Sequence, residues 1–63
     1  MTILTFQQTR KIAQLIADYR APKLTTENKS NEELVVYLRE EDETPFRRIV
    51  LNEKGQVTHI RVV

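Results

Sequence analysis

The 63 residues contain no cysteine and no tryptophan, one histidine and one glycine. Without cysteine there are no disulfides and no thiolate metal ligands. His59 alone is too little for an all-protein zinc site, so no metal or cofactor is expected. A single glycine, Gly55, rules out a glycine-rich loop that cradles phosphates. The one serine, Ser30, lies far in sequence from His59. A nucleophile needs a base within hydrogen-bond reach, so catalysis is not expected. The longest apolar run, Leu34 to Leu38, is far short of the roughly 20 residues that cross a bilayer. No basic segment followed by an apolar stretch opens the chain. A cytoplasmic protein with no membrane partner is the expectation.

What the chain does contain is 40% hydrophobic and 30% charged residues, the composition of one small folded domain over residues 1–63. A domain of this size buries only about 60% of its unfolded surface, and the usual staples are disulfides, metals or partners. With the first two excluded, oligomerisation is the expected staple. The net charge of +1 hides a division. Residues 1–23 carry Arg10, Lys11, Arg20 and Lys23 against Asp18, for +3. Residues 24–45 hold seven acidic side chains against Lys29 and Arg39, for −5. Residues 46–63 carry Arg47, Arg48, Lys54 and Arg61 against Glu53, for +3.

A helix is expected over 5–20. Ile12, Leu15, Ile16 and Tyr19 form an apolar stripe at helical spacing, and Thr5 with Gln8 forms a capping box. Pro22 disfavours helical geometry at Ala21 and should end the helix near Arg20. Residues 21–32 read as a polar linker, and Ser30 with Glu33 forms a second capping-box pattern that leaves a helix as the alternative to a strand over 33–39. Strands are expected over 33–39, 46–52 and 56–63. The first is β-branched and aromatic, and the other two flank Asn-Glu-Lys-Gly, where Asn52 opens a turn and Gly55 takes its left-handed position. The fold class is therefore α+β: one amino-terminal helix followed by a three-stranded antiparallel meander, dimeric in its expected assembly.

Regular registers sort the side chains onto two faces. With the first hairpin centred on Asp42-Glu43, Leu34 pairs with Leu51, Val36 with Ile49 and Leu38 with Arg47. In the second, Leu51 pairs with Val57, Val50 with Thr58, Ile49 with His59, and Arg47 with Arg61. Both faces are then rich in apolar residues, while a helix of roughly 24 Å, at about 1.5 Å per residue, covers one. The surplus face predicts self-association, with Leu34, Val36, Ile49, Leu51 and Val57 as the candidate residues.

Arg47, Arg48, His59 and Arg61 form a basic cluster on the last hairpin and are candidate ligands for an anion or a nucleic acid. Arg47 opposite Arg61 would be a repulsive pair, and the acidic segment Glu40 to Glu43 could fold over it. Tyr37 and Phe46 could share a face, as base-stacking pairs do. The carboxyl-terminal Val-Thr-His-Ile-Arg-Val-Val resembles, in its alternation over residues 37–63, the tail of bacterial messenger-cleaving toxins of the RelE and ParE kind. That resemblance implies RNA as a partner, and no residue role is carried over. The favoured expectation is a small non-enzymatic protein that works by association, as a homodimer and with a protein partner. A nucleic-acid-binding module is the alternative.

Overall fold

The computed structural model describes residues 4–29 and 32–63. One helix, α1 (Phe6–Tyr19), packs on a four-stranded antiparallel sheet of β1 (Lys23–Asn28), β2 (Leu34–Arg39), β3 (Pro45–Leu51) and β4 (Val57–Val62), in the order β1-β2-β3-β4. The class is α+β, with one strand more than the sequence pattern suggests.

Thr5 caps α1 as its sequence requires. Its hydroxyl accepts from the Gln8 amide at 3.1 Å, and the Gln8 side chain accepts from the Thr5 amide at 2.9 Å. Arg20 ends the helix in the left-handed region at φ 53°, two residues before Pro22. Ile12 and Leu15 are buried against Leu34, Val36, Leu38, Ile49 and Leu51, the last five without exposed surface. These five lie on one face of β2 and β3, so the helix covers the middle of the sheet.

The extra strand comes from the expected linker. Leu24 and Thr26 are half-buried beside Leu38 and Val36, while Lys23, Thr25 and Glu27 point outward. Polar alternation hides this strand because β1 is an edge with little apolar surface to bury. Ser30 lies outside the described residues. The first-hairpin pairings Leu34–Leu51, Val36–Ile49 and Leu38–Arg47 form as expected, although the extra residue Phe46 bulges between the Leu38–Arg47 and Arg39–Pro45 pairs.

The second hairpin departs from a regular ladder. Asn52 organises its turn: its side-chain oxygen accepts from the Lys54 and Gln56 amides, each at 2.9 Å, and Gly55 adopts φ 75°. Leu51 still pairs with Val57, but the next pair is Val50 with His59. Thr58 is the extra residue of a bulge. From there Ile49 faces Ile60, Arg48 faces Arg61, and Arg47 faces Val62. The expected pairs Arg47–Arg61 and Ile49–His59 do not form. The physical reason lies in the spacing of Val57 and Ile60, three residues apart. Strict alternation would put these apolar side chains on opposite faces, and the bulge returns both to the helix side.

Candidate basic interface on the open sheet face

The bulge decides what the sheet presents opposite α1. It moves Ile60 and Val62 to the helix side and sends His59 and Arg61 to the open side. Three transverse rows result: Lys23–Arg39–Pro45, Thr25–Tyr37–Arg48–Arg61, and Glu27–Val35–Val50–His59. Val35 and Val50 are 3% and 4% exposed although no helix covers them. The open face is therefore basic at its surface and does not show the bare apolar patch that regular registers imply.

Lys23, Arg39, Arg48 and Arg61 bring four fixed positive charges to this face against the single carboxylate of Glu27. Tyr37 is the hub. Its hydroxyl accepts from Arg48 Nε at 3.3 Å, and the Arg39 guanidinium lies 5.5 Å from its ring centroid. Arg39 Nε donates to Thr25 Oγ1 at 3.0 Å and its Nη1 donates to the Glu43 carbonyl at 2.9 Å. Two of the arginines are thus held in place through neutral partners, which leaves their charge uncompensated. Among the described residues no ion pair engages Arg39, Arg48 or Arg61.

The acidic segment does not fold over the cluster. Glu40, Glu41, Asp42 and Glu43 are exposed at the β2–β3 turn. Asp42 Oδ1 accepts from the Thr44 amide at 3.0 Å, and that bond holds the Asp42 carboxyl below its ordinary range. The carboxylate is spent on shaping the turn, as in other aspartate turns.

Of the basic residues singled out in the sequence, Arg48, His59 and Arg61 share the open face, and Arg47 does not. Arg47 lies on the helix side, its guanidinium 5.5 Å from the Tyr19 ring centroid and its Nη1 donating to the Phe46 carbonyl at 2.9 Å. Phe46 also packs on the helix-side core, so it does not pair with Tyr37. The residues missed were Lys23, Arg39 and the anchoring role of Tyr37. Their signal was parity: Arg39 stands two residues after Tyr37 in one strand.

The proposed self-association residues fare differently. Leu34, Val36, Ile49 and Leu51 are wholly buried beneath α1 within the single chain, so that face is core. Val57 is 41% exposed, and on the same strand Ile60 is 46% and Val62 68% exposed. The helix leaves β4 uncovered. No group of three metal-ligating side chains occurs among the described residues, and none of their helices is long and apolar enough to cross a membrane. No protein-family model, curated protein or solved structure matches the chain.

Proposed function

We propose that this protein is a nucleic-acid-binding module that takes a single strand across the open sheet face. The observation that carries the reading is the group of Arg39 and Arg48 on Tyr37 with Arg61 opposite Arg48, free of ion pairs among the described residues. Guanidinium forks match phosphate geometry, and their mutual repulsion is relieved when phosphate binds between them. A single strand fits better than a duplex. The major groove admits a helix or a two-stranded ribbon, whereas this four-stranded face is a platform about 14 Å wide at roughly 4.8 Å per strand. Bases of a single strand are free to stack on tyrosine and guanidinium planes.

Nuclear magnetic resonance mapping with a mixed-sequence single-stranded oligonucleotide tests this reading. Amide shifts should concentrate on Thr25, Tyr37, Arg48, His59 and Arg61. Shifts confined to α1 would contradict it.

A second reading, association with another copy of the chain, is supported by β4 alone. It is an edge strand with exposed Val57, Ile60 and Val62, whereas the other edge, β1, carries lysine, threonine and glutamate at its exposed positions. Light scattering on a size-exclusion peak tests it: a 7.4 kDa mass at micromolar concentration contradicts a dimer.

A further inference from the structure

A groove of about 400 Å³ opens on the helix layer, away from the arginine face. Gln7, Arg10, Lys11 and Gln14 line it from α1, and Lys54 and Gly55 line it from the β3–β4 turn. The four helix residues recur at the spacing of one helical face. Three cationic side chains and two amides therefore converge from two segments distant in sequence, and no carboxylate lines the groove.

The walls are fixed to each other by contacts that do not involve the cations. Gln8 Nε2 donates to the Asn52 carbonyl at 3.0 Å, and Thr5 Oγ1 donates to the Glu53 carbonyl at 2.8 Å. Gly55 lies so close to α1 that a Cβ there would stand 2.5 Å from the Gln7 carbonyl oxygen. The turn is thereby clamped to the first turns of the helix, and Lys54 is carried to the helix face that bears Arg10 and Lys11. Lys11 Nζ donates to Gln14 Oε1 at 3.2 Å, and the Arg10 guanidinium lies 5.8 Å from the Phe6 ring centroid. Both partners are neutral. The carboxylate nearest in sequence, Glu53, lies beside the Glu32 carboxyl and raises it above its ordinary value.

We propose that this groove is a second anion site, separate from the sheet face, that binds a phosphate group through Arg10, Lys11 and Lys54. The cations supply charge, the Gln7 and Gln14 amides supply further donors, and the clamped turn keeps the geometry in place before the ligand arrives. The volume suits a mononucleotide or a phosphosugar. It equally admits one phosphodiester of a longer strand.

The test is a chemical-shift titration of the full chain with pyrophosphate, a nucleoside monophosphate and a single-stranded oligonucleotide, each against sodium chloride of matched ionic strength. Saturable shifts at Gln7, Arg10, Lys11, Lys54 and Gly55 are expected. Lys54→Gln and Arg10→Gln should each weaken binding about tenfold, the loss of one charge-assisted hydrogen bond, while Arg61→Gln leaves this site unchanged. Binding of the small phosphates identifies a free metabolite as the source of the group, and binding of the oligonucleotide alone identifies a polynucleotide backbone. Either outcome upholds the site. It is overturned if no phosphate compound gives saturable shifts into the millimolar range, if chloride reproduces them, or if the Lys54→Gln and Arg10→Gln variants, folded by their spectra, bind as the parent does.

Discussion

Arg48 and Arg61 stand directly opposite each other in the β3–β4 ladder, and no ion pair among the described residues engages either. Arg48 is held by the Tyr37 hydroxyl and so cannot simply turn away from its neighbour without losing that bond. A like-charge cross-strand pair destabilises the strands that carry it. On the proposed reading, an anion bound between the two guanidinium groups relieves that cost.

This relationship gives stability and binding opposite signs. Arg61→Gln should stabilise the free protein by about 0.2–1 kcal/mol, the usual range for a cross-strand pair. The same change should weaken oligonucleotide binding. Urea denaturation and an affinity titration on one preparation check both arms. A variant less stable than the parent would show that Arg61 has a structural partner. Arg47→Gln serves as the contrast, since Arg47 stacks near Tyr19 on the helix side and should not affect binding.

Gly55 is fixed by two independent constraints, its φ of 75° and its contact with the Gln7 backbone. Gly55→Ala should cost more than about 1 kcal/mol, the upper end of the conformational effect alone. The measurement is the midpoint of urea unfolding. An unchanged midpoint would contradict the close approach of turn and helix.

Gln8 is 1% exposed, and its Nε2 donates to the carbonyls of Glu32 and Asn52 at 3.1 and 3.0 Å. The side chain ties the helix start to the β1–β2 connection and to the β3–β4 turn. Gln8→Glu keeps the shape and the acceptor that caps Thr5, but the ionised carboxylate donates nothing. At neutral pH the variant should lose about 2–4 kcal/mol, because two carbonyls lose their donor and a charge is buried. The deficit should shrink in acid, where the protonated carboxyl donates again. Denaturation at neutral and acidic pH distinguishes this from a loss of packing, which pH would not restore.

The Glu53 carboxyl, by hydrogen bond and by charge, raises the Glu32 carboxyl above its ordinary value. A group raised on folding contributes stability below its unfolded value and loses it as pH rises through the folded value. Two carboxylates facing each other at neutral pH are therefore a liability. Glu53→Gln should raise the melting temperature at neutral pH and give no gain once both carboxyls are protonated. A gain that persists in acid would place its origin elsewhere.

Much of the fold was legible because its signals are local. The Thr5–Gln8 capping box, the stop before Pro22, the Asn52–Gly55 turn and the Leu34–Leu51 register each rest on a few neighbouring residues. β1 was not legible. Lys-Leu-Thr-Thr-Glu-Asn has only Leu24 to bury, and its pairing with β2 is what makes it a strand. The Thr58 bulge was missed because threonine is equally at home in a regular strand. Its trace is the three-residue interval between Val57 and Ile60. Missing it placed Arg61 opposite Arg47, the arginine that packs on the helix side, and made the open face look apolar. The bulge thus separates a reading based on hydrophobic self-association from one based on charge.

The most direct test of the basic face is fluorescence anisotropy with a labelled single-stranded oligonucleotide over a series of salt concentrations. With Lys23, Arg39, Arg48 and Arg61 each neutralising one phosphate, log affinity should fall against log salt with a slope of about −3, from about −0.7 per contact for single strands. The Arg48→Gln, Arg61→Gln double variant should bind more weakly and show a slope reduced by about 1.4, two contacts at that same value. No binding at low salt, or a slope that the double variant leaves unchanged, would contradict a nucleic-acid site on the open face.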